Sequence, residues 1–256
     1  SCTQAPNNQF SPHGTHMHQL SDGRWRYLVV NHGDREAVEM FEVSMGSSPS
    51  LQWRGCVFPA DNTIINDVVG LNNGDIVFTR MFHADDSLAV YKSMLGMVTG
   101  EVWYWGAKTG LQELPETRGA MPNGLEISAD NRFVFINMYM DEEVQKYDLA
   151  TRQVIASAAV PNVDNSAWSP EGKLWLASHT GGLVESNACY GDQTKTCGIS
   201  FEIVELDTQT MAFKTVFSHQ GSPMGAATIA VAAGDKVYLG SYAGDRMIIV
   251  PRSQFK

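Results

Sequence analysis

A short unit recurs five times along this chain: a tight turn followed by a strand rich in aromatic and β-branched residues. Two of the turns are the Asp-Gly and Asn-Gly pairs that close β-hairpins, and the other three are similar. Their second positions are Gly23, Gly74, Asn131, Gly172 and Asp235. The strands that follow are predicted at residues 24–30, 76–78, 132–136, 173–176 and 236–239. A repeat of about 40 to 60 residues with several strands in each copy is typical of a β-propeller.

More strands are predicted inside each copy. Second strands are expected at residues 37–43, 101–105, 143–148, 201–206 and 246–250, and a further strand at 153–156. A two-sheet sandwich is the alternative, but its strands would not recur as similar units. The best helical pattern is short and covers residues 87–97. No linker or shift in composition divides the chain, so we expect a single domain over residues 1–256.

The strand that opens each unit carries polar residues near its start. In a propeller this strand lines the central channel, so equivalent positions form a ring of side chains. That ring is predicted to contain Asn66, Asn123, Asp164 and Asn165, with His13 and Thr228 beside it. Amide and carboxylate oxygens that converge favour calcium, whereas zinc prefers His or Cys and magnesium retains more water. For each residue alone, an ordinary turn role is the competing interpretation.

Charge and cysteine content restrict the partners and the compartment. The net charge of -10 argues against nucleic acid and anionic membranes as partners and leaves room for cations. No apolar run approaches the ~20 residues of a membrane-spanning helix.

Cys189 and Cys197 flank a polar loop and predict a local disulfide, with two free thiols as the alternative. A disulfide would favour an extracellular or periplasmic location, and the sequence leaves the pairing of Cys2 and Cys56 open.

Taken together, these segments resemble the paraoxonase/arylesterase family, part of a wider six-bladed propeller group that includes senescence marker protein and gluconolactonase. The resemblance is carried by residues 11–14, 27–32, 66–69, 122–128, 163–165, 172–175 and 228–230. It implies an all-β, six-bladed β-propeller that lacks about one N-terminal blade in this chain. A missing N-terminal segment or a partner chain would then complete the propeller.

The resemblance also implies two calcium ions and a pair of histidines. Ligands of a catalytic calcium match Asn66, Asn123, Asp164 and Asn165. Ligands of a structural calcium match Asp67 and the backbone carbonyl of Thr15. His13 matches a proposed general base, and His32 a residue that orients it or relays its proton. The family's acidic pair upstream of this histidine has no counterpart before His13.

The implied activity is calcium-dependent hydrolysis of small-molecule carboxylic esters and lactones, the activity of an arylesterase/lactonase. No G-x-S-x-G motif is present, which disfavours a serine acyl-enzyme. Met121, Thr228, Tyr242 and Phe82 are expected to line the substrate pocket, with Met121 replacing an aromatic residue that is usual in the family. The alternatives are a sugar-lactone hydrolase, a strictosidine-synthase-like enzyme, and a non-enzymatic propeller that only binds calcium.

Overall fold

The computed structural model describes residues 2–182, residue 189 and residues 196–256, and most of its ordered segments are antiparallel strands. The first sheet consists of β1 (Pro12–Gln19), β2 (Trp25–Asn31), β3 (Ala37–Ser44) and β4 (Ser50–Val57). The second consists of β5 (Thr63–Gly70), β6 (Ile76–His83), β7 (Glu101–Gly106) and β8 (Gly110–Glu113). In both sheets the strands are neighbours in chain order.

Three further sheets follow with the same meander order. The third consists of β9 (Pro122–Ile127), β10 (Phe133–Met138), β11 (Glu143–Asp148) and β12 (Gln153–Ala158). The fourth consists of β13 (Val163–Trp168), β14 (Leu174–His179), β15 (Phe201–Leu206) and β16 (Phe213–His219). The fifth has only three strands, β17 (Ala227–Ala233), β18 (Lys236–Ser241) and β19 (Ile248–Pro251).

Two short helices complete the described structure. The helix α1 (Ala89–Met94) lies on the connection between β6 and β7, inside the range predicted for it, and a 3-10 helix covers Arg252–Gln254. No helix in the described part of the chain is long and apolar enough to cross a membrane.

The chain forms two compact units. The first comprises Ser1–Ile136 and Tyr147–Ile155, and the second comprises Asn137–Lys146 and Ala156–Lys256. Sheets one and two belong to the first unit and sheets four and five to the second, while the third sheet contains residues of both. The interpretation of residues 1–256 as one domain stays a prediction.

Each unit has a hydrophobic core made by alternate residues of adjacent strands. In the first unit the core is formed by Leu28, Val30, Val38, Val57, Ile65, Val68, Ile76 and Phe78. In the second unit it is formed by Trp175, Ala177, Phe201, Ile203, Val216, Met224, Ala227, Ala230, Val237 and Leu239. Burying one such aliphatic or aromatic side chain contributes about 1.5–3 kcal/mol to the stability of the fold. The apolar residues of the repeated strands therefore provide most of both cores.

The predicted turns are found where glycine or asparagine adopts a positive φ. The angle is 87° at Gly23, 93° at Gly74, 59° at Asn131 and 73° at Gly172. In the fifth turn Asp235 is the second position as predicted, and the positive φ, 64°, belongs to Gly234 at the first position. Ala233 pairs with Lys236 there, which leaves a two-residue loop whose first position requires glycine.

Two disulfides are formed. Cys189 and Cys197 are joined as predicted, with their Cα atoms 5.1 Å apart, although the loop between them (residues 190–195) lies outside the described residues. Cys2 is joined to Cys56 at the buried end of β4, with their Cα atoms 5.5 Å apart, which answers a question that the sequence left open.

The all-β propeller class is confirmed with five blades rather than six, which agrees in part with the expectation that this chain lacks about one blade of a six-bladed propeller. Five sheets are described, and each corresponds to one of the five turn-and-strand units read from the sequence. The number six came from the resemblance, whereas the residues themselves encode five hairpin turns.

A buried histidine on β1 makes the first unit sensitive to acid. The ring of His18 lies against the backbone of Gly70, where an added Cβ would come within 2.0 Å of Cε1. Burial, and to a smaller extent Arg26, lowers the pKa of His18 to about 4. Between this value and the ordinary pKa of about 6.5 the unfolded chain binds the proton that the folded chain excludes. The free energy of unfolding therefore falls as the pH drops through this window.

We expect His18→Phe to remove this part of the acid sensitivity. Between about pH 8 and pH 5 the free energy of unfolding of the wild-type protein should fall by about 2 kcal/mol through His18 alone, whereas a phenylalanine does not titrate. Urea unfolding of both proteins at about pH 8 and pH 5 measures the difference. Equal losses in the two proteins would contradict a neutral, buried His18.

Candidate functional site

The predicted polar positions coincide with irregularities in strand pairing. In β1 the register shifts between Pro12 and Thr15, which places His13 and Gly14 in the irregularity. The shift in β5 falls between Ile65 and Val68 and contains Asn66 and Asp67. In β13 it falls between Val163 and Ser166, around Asp164 and Asn165, and in β17 between Ala227 and Ile229, at Thr228. Bulges of this kind redirect side chains and are common beside active sites.

Within the first unit, β1, β5 and β9 approach one another at the predicted ligands. The backbone of β1 at Gly14 lies so close to β5 that only glycine fits. A Cβ at this position would lie 2.4 Å from Oδ1 of Asp67 and 2.5 Å from the carbonyl oxygen of Asn66. Thr79 connects Asp67 with Asn123. Its hydroxyl accepts a hydrogen bond from the backbone amide of Asp67 at 3.0 Å and donates one to the backbone carbonyl of Asn123 at 2.7 Å. The structure therefore brings Asn66, Asp67 and Asn123 together beside Gly14, the residue before Thr15.

Two buried amide oxygens in this group lack hydrogen-bond partners. The side chains of Asn66 and Asn123 are 4% and 6% exposed, and Oδ1 of each accepts no hydrogen bond from the described residues. An unsatisfied buried carbonyl costs about 1–3 kcal/mol, so native proteins seldom leave such groups without a partner. Oxygens of this kind are suitable ligands for a hard cation.

Asp67 is a buried carboxylate beside them. Its Oδ1 accepts from the amide of Val68 and its Oδ2 from the amide of Leu125, both at 2.8 Å. Burial nevertheless raises the pKa of Asp67 to about 7. A cation would offset the cost of the buried charge. The described residues contain no cluster of three His, Cys, Asp or Glu side chains suited to a metal, so amide and backbone oxygens would have to dominate the ligand set.

The two predicted histidines are in contact. Nδ1 of His13 lies 2.7 Å from Nε2 of His32, and the ring centroids are 4.9 Å apart. Nδ1 of His32 lies 2.8 Å from Oε2 of Glu36. Desolvation, followed by the neighbouring His32, lowers the pKa of His13 although part of its side chain is exposed, and Glu36 acts in the opposite direction. A lowered pKa favours the neutral form of the His13 ring, in which one ring nitrogen can accept a proton.

The loop that carries His32 is held by a buried asparagine. Oδ1 of Asn31 accepts from the amide of Ser11 at 3.0 Å and from that of Gly33 at 2.9 Å. The amide of His32 donates to the carbonyl of Ser11 at 3.0 Å. The segment preceding His13 is therefore tied to the loop containing His32, which fixes the distance between the two rings.

In the second unit, the predicted residues lie around a histidine that the sequence analysis missed. His179 at the end of β14 is buried, and burial lowers its pKa to about 4. Its Nδ1 accepts from the hydroxyl of Tyr139 at 2.9 Å, and its Nε2 donates to the carbonyl of Ala227, the residue before Thr228, at 3.1 Å. Oδ2 of Asp164 is 4.0 Å from Nε2, and the ring centroid of Tyr242 is 6.1 Å from that of His179.

The remaining predicted residues have simpler surroundings. Asn165 donates from Nδ2 to Oδ1 of Asp164 at 2.9 Å. Met121 is buried immediately before β9 with a φ of 59°, and Phe82 pairs with Ile64 along β6. The pocket role of Met121, Phe82, Thr228 and Tyr242 stays a prediction.

Glu36 and His179 carried little signal in the sequence, because both contact residues that are distant in the chain. The one local clue was the spacing of Glu36, four residues after His32.

These features define a β-propeller in which the first strands of four sheets, β1, β5, β13 and β17, have polar, bulged starts. The arylesterase family model matches residues 2–246, so this chain belongs to the arylesterase family. The resemblance read from the sequence is thereby confirmed, and membership supports a hydrolase. A comparison with the curated proteins found no match.

Solved structures show the same fold at low sequence identity. A luciferin-regenerating enzyme has a TM-score of 0.53 and 19% identity, over 88% of this chain and 69% of that one. A gluconolactonase from Xanthomonas campestris has a TM-score of 0.53 and 17% identity, over 92% and 70%. A protein of unknown function from Bacteroides caccae has a TM-score of 0.53 and 9% identity, over 98% and 81%. At these identities the similarity concerns the fold alone.

Proposed function

We propose that this protein is a calcium-dependent hydrolase of carboxylic esters and lactones. The observation that carries the proposal is that the buried Oδ1 atoms of Asn66 and Asn123 accept no hydrogen bond from the part of the chain that the structure describes. The His13–His32 contact supplies a base for hydrolysis. Membership in the arylesterase family supports the ester activity, and the fold shared with a gluconolactonase is compatible with lactones as substrates.

The residues of the first unit fit a calcium ion on their donor chemistry. Calcium takes six to eight oxygen ligands, at roughly 2.3–2.6 Å, and accepts neutral amide and backbone carbonyls. Asn66 and Asn123 would hold a catalytic ion, and Asp67 with the carbonyl of Thr15 a structural one. Asp164 and Asn165 are the further ligands that the family pattern implies. When bound, calcium supplies Lewis-acid polarisation of the scissile carbonyl and stabilises the developing oxyanion.

The histidines supply the proton transfer. Nε2 of His13 takes a proton from water, whose oxygen bonds to the carbonyl carbon, and the ester C–O bond then breaks. The proton returns from His13 to the departing alkoxide or phenoxide oxygen, so the enzyme ends in its starting state. His32 holds the His13 ring through Nδ1 during both transfers. Met121, Phe82, Thr228 and Tyr242 are the residues proposed to contact the acyl and leaving groups.

A substrate panel tests this function. With calcium present, we expect turnover of phenyl acetate and of a simple δ-lactone. Preference for glucono-lactone over both would instead favour a sugar-lactone hydrolase. No turnover of any ester or lactone, with calcium bound, would favour a propeller in which calcium is only structural.

The two disulfides suggest where the protein works. Cys2–Cys56 and Cys189–Cys197 use all four cysteines of the chain. Disulfides persist in oxidising compartments and are rare in reducing ones. We therefore propose an extracellular or periplasmic location, which fractionation of the source cells would test.

A further inference from the structure

Glu36 accepts hydrogen bonds from two directions at the far end of the histidine pair. Its Oε2 is 2.8 Å from Nδ1 of His32, and its Oε1 accepts from the backbone amide of Ile65 at 2.6 Å. Ile65 immediately precedes Asn66, so the same carboxylate connects the histidine loop with β5. Both oxygens of Glu36 therefore have an assigned donor.

No nearby cation competes for this carboxylate among the described contacts. The guanidinium of Arg35, the preceding residue, instead binds both oxygens of Glu39, at 2.7 and 3.0 Å. Asp34 accepts from Nδ2 of Asn31 at 3.2 Å. Glu36 is thus left to His32 and to the amide of Ile65.

These contacts determine where the ring protons reside. A carboxylate only accepts, so Nδ1 of His32 must carry the hydrogen, and in the neutral ring Nε2 then presents a lone pair. That lone pair accepts from Nδ1–H of His13, which leaves Nε2 of His13 without a proton. We propose that Glu36 is a positioning residue that fixes these tautomers and so makes Nε2 of His13 the proton acceptor. The inference rests on the proposed role of His13 in hydrolysis.

The arrangement also accounts for the charge after proton transfer. When Nε2 of His13 gains a proton from water, its Nδ1 proton can pass to Nε2 of His32 across the 2.7 Å contact. The positive charge then lies on His32, 2.8 Å from the Glu36 carboxylate. A third group that orients a base in this way is the general form of a catalytic triad.

Glutamine at position 36 provides a diagnostic change. Its side chain has nearly the shape of glutamate but only one acceptor oxygen. The amide of Ile65 can only donate, so it takes that oxygen and the NH₂ group turns toward His32. Nδ1 of His32 must then accept, Nε2–H donates to His13, and the His13 proton moves to Nε2, where it blocks the base.

The test combines ring ¹⁵N NMR with kinetics on Glu36→Gln. We expect His32 to be protonated at Nδ1 in the wild type and at Nε2 in the variant. On phenyl acetate we expect kcat to fall ~100-fold with KM nearly unchanged, the range of a lost general base. In a His32→Gln background, Glu36→Gln should cause no further loss, because Glu36 acts through His32. Glu36→Asp keeps two acceptor oxygens and should retain the wild-type tautomer.

Glu42→Gln is the matched control, because Glu42 lies on β3 and pairs with Arg24 and Arg54 outside the histidine group. It should preserve both the tautomers and kcat. The proposal is overturned if the ring ¹⁵N shifts show the same tautomers with glutamate and glutamine, or if the kcat losses of Glu36→Gln and His32→Gln add. The NMR readout requires no turnover, so it still decides the role of Glu36 if the protein hydrolyses no ester.

Discussion

Asn123→Ala is expected to lower the calcium affinity of the protein, and so its stabilisation by calcium, while leaving the stability of the calcium-free protein almost unchanged. Oδ1 of Asn123 is buried and receives no hydrogen bond from the described residues, so without an ion its removal deletes an unsatisfied group. With an ion, the same change deletes a ligand. We expect calcium affinity to fall ~100-fold, equivalent to about 2.7 kcal/mol of ligand stabilisation.

Thermal unfolding and calorimetric titration with calcium measure this effect. Asn66→Ala should behave like Asn123→Ala, whereas Asn72→Ala, at an exposed asparagine, should match the wild type in both conditions. Equal calcium responses in wild type and Asn123→Ala would remove the asparagines from the ligand set. Loss of stability without calcium would show that Asn123 has a structural role instead.

His13→Gln is expected to lower kcat on phenyl acetate ~100- to 1,000-fold with a small change in KM. The variant removes the base while leaving the candidate calcium ligands in place, so substrate binding should persist. His219→Gln is the matched control, since His219 lies at the end of the outer strand β16. Calcium affinity measured by titration should be the same in all three proteins.

Unchanged kcat in His13→Gln would contradict a base at this position. It would also favour a propeller whose calcium has no catalytic partner in this histidine pair. A fall in calcium affinity together with kcat would indicate that the substitution disturbs β1, and then the His13 assignment would fail for that reason.

Local sequence was sufficient for the strands and most of the turns. The predicted strands at 143–148 and 201–206 coincide with β11 and β15, because their β-branched and aromatic residues favour a partly buried strand. Gly23 and Gly74 mark their turns because few other residues tolerate a positive φ. The fifth turn was also placed correctly, because the pairing of Ala233 with Lys236 leaves Gly234 and Asp235 as its two-residue loop.

The arrangement of the site depended on contacts between distant segments. The recurrence of polar residues indicated where each innermost strand would be unusual, but not that the pairing would be irregular there. Glu36 reaches Ile65, 29 residues away, and His179 reaches Ala227, 48 residues away. Such contacts follow from how strands pack, which a propensity pattern does not contain. The count of six blades came from the resemblance alone, and the expectation of about one blade fewer in this chain agrees in part with the five sheets described.

Calcium dependence of the proposed hydrolysis is tested by the turnover of phenyl acetate by one preparation before chelation, after chelation with EGTA, and after calcium is restored. If calcium bound by Asn66 and Asn123 polarises the scissile carbonyl, we expect turnover, its loss on chelation, and its recovery with calcium. Turnover that is insensitive to the chelator, or none after calcium is restored, would contradict it.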